Sequence, residues 1–186
     1  MPTDNMTMCN DIKPEIEAYR IAIENLAKNN DSSTFNNSGP DHAAIVLGNI
    51  FKNSNHCVNI VAGDFNGIVS DNEYYLNALR NYLNKNKPLN IIFENEPNKD
   101  SLALALLRKY MLSASSQITI RRFKMTDGLE QPPVHFTVGD NKMFRLETSK
   151  EDCTAMCSFN NIGFSKKLDD FFSTLIQFSS NYTFEN

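Results

Sequence analysis

Apolar residues recur at the three-to-four-residue spacing of a helix in five segments of the chain. The spacing predicts helices over residues 12–27, 43–51, 71–83, 102–112 and 165–178. We interpret Asp41 and Asp100 as N-caps, because a short acidic side chain just before a helix accepts hydrogen bonds from free backbone N–H groups. Asp71 marks the expected start of the third helix.

Short apolar runs lie between these helices and predict strands. The strands are expected at residues 57–62, 89–93 and 117–123, followed by a hairpin over 134–146 and a short strand that ends in Ser158-Phe159-Asn160. The hairpin turns at Gly139-Asp140-Asn141, which is a hairpin-type turn sequence. Strands that first alternate with helices and then cluster predict an α/β fold with a mixed, mostly parallel sheet flanked by helices.

Ligands of such sheets bind outside the carboxyl ends of the parallel strands. Asp64 and Asn66 follow the first of these strands, and Glu94 and Glu96 follow the second. These side chains therefore mark a candidate binding edge. The simpler interpretations are an ordinary turn for Asp64 and Asn66, and a solvated carboxylate pair for Glu94 and Glu96.

The chain of 186 residues is long enough for one domain with a sizeable core. Residues 29–40 are rich in Asn, Ser and Asp and are expected to form a flexible linker. We therefore divide the chain into an N-terminal helix with a linker, residues 1–40, and an α/β domain, residues 41–180.

The overall charge limits the function classes that fit the sequence. The formal net charge is −4 and the pI is about 5.4, which argues against a general nucleic-acid coat but not against a nuclease with a local basic site. There is no apolar run long enough to span a membrane, and the N-terminus lacks the features of a secretory signal. We expect a cytoplasmic protein that does not bind membranes. The abundance of Asn favours an AT-rich bacterial or phage source.

The four cysteines are Cys9, Cys57, Cys153 and Cys157. Without an export signal they are expected to be reduced thiols. A zinc site needs about four ligands at defined spacing, and Cys153 and Cys157 have no such partners nearby in sequence. The sequence therefore predicts small buried thiols and no metal or other cofactor.

The segment from Val134 to Gly163 carries the most informative residues. It holds His135 among apolar neighbours, a returning strand with charged groups, and Ser158 and Asn160 as a Ser-x-Asn. The segment resembles one half-site of the phospholipase D superfamily, which has His-x-Lys, then an Asp, then Gly-Ser-x-Asn. The order of helices and strands over residues 41–178 is similar to one half of that fold.

The match to the superfamily is partial. Thr137 stands where the family has its Lys, and Cys157 stands where it has Gly. Lys142 falls at the position of the family Asp, and Asp140 lies two positions earlier. The gap between His135 and the Ser-x-Asn is also longer than usual.

Two residues of the returning strand offer a compensation. Arg145 and Glu147 are two positions apart, so they share one face of the strand. If His135 and Thr137 lie on that face, Arg145 replaces the missing Lys and Glu147 the missing Asp. Arginine suits this role because its fork binds two phosphate oxygens. The alternatives are a solvated Arg145–Glu147 surface pair and a half-buried His135 that bonds only to a neighbour.

The resemblance implies a metal-independent phosphodiesterase, more plausibly a nuclease than a lipase. Family members with one half-site act as homodimers, so His135 would be the nucleophile and, from the second protomer, the general acid. Ser158, Asn160 and Arg145 would bind phosphate oxygens, with Lys142 and Thr137 as weaker candidates. Family habit suggests a bacterial antiviral-defence or toxin system as the setting.

Two rival hypotheses stay open at this point. The same fold without the family Lys and Asp would serve as a degenerate module for dimerisation or protein-partner binding in a larger assembly. A weaker hypothesis is an α/β domain that binds a small ligand near Asp64 and Glu94, although no glycine-rich phosphate loop supports it.

Overall fold

The computed structural model of the chain describes residues 13–113, 115–124 and 133–184. Cys9 and most of the polar loop expected at residues 125–133 lie outside the described residues. No helix in these ranges is both long and apolar enough to cross a membrane.

All five predicted helices are present. They are α1 (Pro14–Lys28), α2 (Pro40–Asn53), α3 (Glu73–Asn84), α4 (Leu102–Met111) and α5 (Ile162–Gln177). The predicted caps at Asp41 and Asp100 are wrong, because the N-cap residues of α2 and α4 are Gly39 and Ser101. Asp71 lies before α3, and its Oδ1 accepts hydrogen bonds from the Ser101 hydroxyl and the Ala103 N–H at the start of α4.

The strands of the described residues form one eight-stranded sheet in the order β1-β7-β6-β5-β2-β3-β4-β8. They are β1 (Phe35–Asn37), β2 (Val58–Ala62), β3 (Leu89–Phe93), β4 (Ile118–Phe123), β5 (Phe136–Gly139), β6 (Met143–Ser149), β7 (Thr154–Ser158) and β8 (Ser179–Asn181). The predicted α/β fold with a mixed, helix-flanked sheet is confirmed. Its parallel part is β2, β3 and β4, and the other neighbouring strands described here pair antiparallel. The expectation that the sheet is mostly parallel is wrong, because antiparallel pairs outnumber parallel pairs among the described strands.

The hairpin of β5 and β6 turns where the sequence predicts. Asp140 and Asn141 both have positive φ, at 51° and 55°, and the Lys142 N–H donates to the Gly139 carbonyl at 3.1 Å. Two central residues with positive φ define the type I′ turn, whose twist matches that of paired strands. The turn therefore fixes which residues of β5 and β6 lie opposite each other.

The structure places β1 within the segment that the sequence predicts to be a flexible linker. Phe35 lies opposite Cys157 of β7, and its ring packs 5.6 Å from the ring of Phe159. The segment has few apolar residues, but pairing with β7 satisfies its backbone, so a short edge strand forms. The division of the chain into two units near residue 40 stays a prediction.

The two faces of the sheet carry different helices. One face packs against α1 to α4 through a large core that includes Ile60 and Ile91, while α5 covers the other face against Val61, Phe136 and Phe144. Side chains of a strand alternate between faces, so Thr137 and Arg145 lie with Ile60 on the α1–α4 side. Candidate site residues two positions from Thr137 or Arg145 on the same strand therefore also lie on the α1–α4 side.

Candidate functional site

A cavity of about 430 Å³ opens on the α1–α4 side, beyond the carboxyl ends of β2 and β3. Its polar lining includes Asp64, Asn66, Glu94, Asn95, His135, Thr137, Arg145, Glu147 and Lys150. The position agrees with the edge at which open α/β sheets bind ligands. The predicted edge residues divide between two environments, because Glu94 lines the cavity whereas Glu96 is exposed and pairs with Arg122.

Strand register brings His135, Thr137, Arg145 and Glu147 together. Thr137 lies directly opposite Arg145, and the Glu147 N–H donates to the His135 carbonyl at 2.9 Å. Side chains two positions apart on a strand point the same way, so these four residues share one face. The condition for Arg145 and Glu147 to replace the missing family Lys and Asp, a common face with His135 and Thr137, is therefore met.

His135 contacts a carboxylate through each ring nitrogen. Its Nδ1 lies 2.9 Å from Glu147 Oε2, and its Nε2 lies 2.6 Å from Glu94 Oε2. The three side chains are 13–15% exposed, so they are largely removed from water. Carboxylate oxygens only accept hydrogen bonds, so both contacts form together when both ring nitrogens carry a proton.

Arg145 is buried and holds Glu147 in place. Its Nη1 donates to Glu147 Oε1 at 3.2 Å, its Nε to Asn37 Oδ1 at 3.1 Å, and its Nη2 to the Cys153 carbonyl at 2.9 Å. The Arg145 and Glu147 side chains are 7% and 13% exposed, so the alternative of a solvated surface pair is wrong. The guanidinium thus links β1, β6 and the β6–β7 turn behind the histidine.

Lys150 is a cation of the site that the sequence analysis missed. It lies in the β6–β7 turn, and its Nζ is 2.6 Å from Glu94 Oε2, the same oxygen that His135 contacts. No motif marks a lysine in a polar turn, and only the folding of the turn over the cavity brings it to the histidine. The sequence also gives no sign of Asn37, because it predicts a linker where β1 forms.

Both carboxylates beside His135 are ionised at neutral pH. Burial alone raises the pKa of Glu94, but hydrogen bonds from Lys150 and His135 outweigh it and hold that pKa below its usual range. Burial likewise raises the pKa of Glu147, and the opposing bond from His135 with the Arg145 charge brings it below the usual value. The site therefore combines an imidazole and two cations with two negative carboxylates.

These lowered pKa values predict a pH dependence of stability. Because the folded-state pKa of Glu147 is lowered, its stabilisation is complete above its unfolded pKa of ~4.3 and is lost as pH falls through the folded value. Glu147→Gln is expected to be less stable than wild type near pH 7, and the difference should shrink in acid. Urea unfolding of both proteins from about pH 7 to about pH 3 measures this. A difference that stays constant or grows in acid contradicts the prediction.

Gly63 lets the backbone after β2 approach the histidine closely. A Cβ added at Gly63 would lie 3.2 Å from His135 Cε1, which is tighter than ordinary carbon contacts. We expect Gly63→Ala to displace the imidazole, shift its NMR signals and lower the free energy of unfolding by about 1 kcal/mol. Gly163→Ala in α5 is the control, because no atom lies within 4 Å of its added Cβ. Unchanged His135 ring signals in Gly63→Ala would contradict the expectation.

Ser158 and Asn160 do not line the cavity. Ser158 is fully buried and lies opposite Phe144, so its strand parity places it on the α5 face of the sheet. Its Oγ lies 3.4 Å from the Ser32 carbonyl and accepts from the Asn160 backbone N–H at 3.4 Å. The described structure therefore does not bring the Ser-x-Asn into the cavity that His135 lines.

Lys142 and Asp140 lie at the hairpin turn, at the far end of β5 from His135. Lys142 Nζ donates to Asn30 Oδ1 at 2.8 Å. The Asp140 carboxylate accepts from the backbone N–H groups of Asn55, His56 and Cys57 at 2.7–3.0 Å. The Asp140 contacts attach the hairpin to the residues before β2, and the Lys142 contact attaches it to the residues after α1.

Several other charged or reactive side chains also have local partners. His42 stacks on Tyr19 with ring centroids 3.7 Å apart, and Arg121 bonds to Ser179 and Asn181 of β8. Burial raises the pKa of the Cys57 thiol to about 11 and that of the Cys157 thiol to about 12, so both are protonated at neutral pH. Among the described residues, no group of three or more His, Cys, Asp or Glu side chains has the arrangement of a metal site.

Solved structures with this fold include a phospholipase D family member and an archaeal chromatin protein. Nuc from Salmonella typhimurium, a phospholipase D family member, has a TM-score of 0.60 at 13% identity, covering 83% of this chain and 100% of Nuc. NucT from Helicobacter pylori has a TM-score of 0.61 at 12% identity, covering 82% and 100%. TrmBL2, an archaeal chromatin protein with a novel mode of DNA binding, has a TM-score of 0.56 at 13% identity, covering 90% and 64%.

No family model matches the sequence, and a search of curated proteins found no match. At identities of 12–13% the structural likeness concerns the fold alone. The chemistry of the site depends on this chain's own residues.

Proposed function

Because this chain has the phospholipase D superfamily fold, we propose that it is a metal-independent phosphodiesterase with His135 as its nucleophile. The observation that carries the proposal is the chain of contacts from Arg145 through Glu147 to His135 Nδ1 at the wall of the cavity. A carboxylate on Nδ1 fixes the orientation of the imidazole and directs Nε2 towards the cavity. This is the arrangement that a nucleophilic histidine requires.

The proposed reaction has two steps. The reacting form of His135 carries its single proton on Nδ1, bonded to Glu147, so that Nε2 has a lone pair. This lone pair attacks phosphorus, an N–P bond forms, and the P–O bond to the leaving group breaks. The leaving oxygen takes a proton from an acid, which by the family pattern is His135 of the partner subunit. Water then attacks phosphorus and gives its proton to the partner subunit's His135, which is now a base, while the N–P bond breaks and the lone pair returns to Nε2.

The residues around His135 take different roles in this proposal. Glu147 orients the imidazole and stabilises its charge, as the Asp of a catalytic triad does. Arg145 is a positioning residue, because three of its donor groups already hold Asn37, Glu147 and Cys153. The proposed phosphate ligands are Ser158, Asn160, Thr137 and Lys142. Of these four residues, Thr137 lines the cavity.

The test is hydrolysis of bis(p-nitrophenyl) phosphate and of single- and double-stranded DNA in the presence of EDTA. We expect hydrolysis that chelation does not affect, because the proposed nucleophile is a side chain. Sedimentation of the same sample should show a homodimer, since the proposed acid comes from a second protomer. Absence of hydrolysis on all three substrates by a folded protein overturns the proposal.

A second candidate function is a partner-binding or DNA-binding module without catalysis. Two observations favour it: both ring nitrogens of His135 already contact carboxylates, and the Ser-x-Asn lies away from the cavity. TrmBL2 has the same fold and is a chromatin protein. An inactive but folded protein that retains DNA or a protein partner would establish this alternative. With either function we also propose a bacterial defence or toxin system as the setting and the cytoplasm as the location.

A further inference from the structure

Two donors converge on one anionic oxygen in the cavity. His135 Nε2 and Lys150 Nζ each lie 2.6 Å from Glu94 Oε2. An oxygen held by an imidazole and an ammonium group has the environment that a bound phosphate oxygen requires. Glu94 Oε2 therefore occupies the position at which a phosphodiester oxygen would meet both the proposed nucleophile and a cation.

From this convergence we propose that Glu94 is an internal anion that fills the phosphate subsite formed by Lys150 and His135. A phosphodiester then binds by displacing the Glu94 carboxylate. The inference rests on the proposed function because it concerns the same subsite. It assigns to Lys150, in the β6–β7 turn, the positive charge that the family lysine would supply at the position of Thr137.

The exchange requires only a side-chain movement. The Glu94 N–H donates to the Ala62 carbonyl at 2.8 Å, and the Asn95 N–H donates to the Gly63 carbonyl at 3.0 Å, so the backbone at Glu94 is held. The Lys150 side chain is 48% exposed and reaches Glu94 from the solvent side. Rotation of the Glu94 side chain would open the subsite while Glu147 still holds His135 through Nδ1.

Charge favours the same exchange. The cavity lining carries three carboxylates, Asp64, Glu94 and Glu147, and two cations, Arg145 and Lys150. Arg145 is committed to Glu147, so Lys150 is the cation left to neutralise either Glu94 or an incoming phosphate. A phosphate that entered beside an undisplaced Glu94 would meet strong like-charge repulsion at close range.

The experiment titrates dimethyl phosphate, a diester anion, into the full chain and follows the His135 imidazole signals by NMR. Glu94→Gln is expected to bind about tenfold more tightly than wild type, because the competing charge is removed while the side-chain shape is kept. Adding Lys150→Gln to Glu94→Gln is expected to reverse most of this gain. The controls are Glu96→Gln, two residues away and paired with Arg122, and Lys166→Gln on α5, on the other face of the sheet.

The inference is overturned if Glu94→Gln binds no more tightly than wild type, or if Lys150→Gln leaves the gain unchanged. Glu94→Ala must also bind dimethyl phosphate more tightly than wild type does. Agreement between the two Glu94 variants excludes poor folding of one of them as the cause. Hydrolysis by wild type without any gain in Glu94→Gln would overturn this inference and leave the proposed function standing. Tight, Lys150-dependent binding without hydrolysis by wild type would support the subsite and overturn the proposed catalysis.

Discussion

His135→Ala is expected to lower the rate of diester hydrolysis by about 10³-fold or more. The substitution removes the atom that would form the N–P bond, and no other histidine of the described residues lines the cavity. Glu94 and Glu147 lose a shared partner, so the variant should also be less stable. Activity therefore has to be compared at a temperature where far-UV circular dichroism shows both proteins folded.

The matched control for this variant is His56→Ala. His56 is exposed, and its backbone N–H bonds to Asp140, so its ring is not required for that contact. We expect wild-type activity from this variant. A His135→Ala protein that keeps more than about a tenth of the activity would show that the nucleophile lies elsewhere. An acid-labile phosphorylated form of wild type, absent from His135→Ala, would identify the covalent intermediate directly.

Arg145→Met is expected to lower the free energy of unfolding by about 3–5 kcal/mol. The side chain is 7% exposed, and its loss removes the cationic partner of the Glu147 carboxylate and leaves the Asn37 amide oxygen with only the weak Cys157 thiol donor. Methionine keeps much of the volume, so the effect reports mainly the buried Glu147 carboxylate that has lost its guanidinium partner. Urea unfolding at neutral pH measures the difference from wild type.

Arg122→Met is the control for the buried arginine. Arg122 and Glu96 form an ion pair with side chains 46% and 49% exposed, so its loss should change stability by less than ~1 kcal/mol. Combining Arg145→Met with Glu147→Gln should destabilise less than the sum of the single variants, because the stranded charge is removed. Equal small effects for the two arginine variants would mean that Arg145 does not hold Glu147.

The sequence contained enough information to predict the helices, most of the sheet and the hairpin turn. Helical periodicity places α1 to α5 because burial of one face repeats every three to four residues. Asp140 and Asn141 tolerate the positive φ values of a type I′ turn, so the turn is encoded locally. The short strands β1 and β8 were missed, because three residues that are mostly or wholly polar gain strand structure only from a neighbour already in the sheet.

For the site, the sequence by itself determined that Arg145 and Glu147 share one face of their strand and that His135 and Thr137 share one face of theirs, since strand periodicity is local. The pairing of β5 with β6 put both pairs on the same face. Only the tertiary structure decided which residues meet the imidazole. Glu94 arrives from β3 and Lys150 from the β6–β7 turn, while Ser158 lies with the opposite face. These outcomes depend on strand order and on the path of a turn, which are set by packing of the whole sheet rather than by any local pattern.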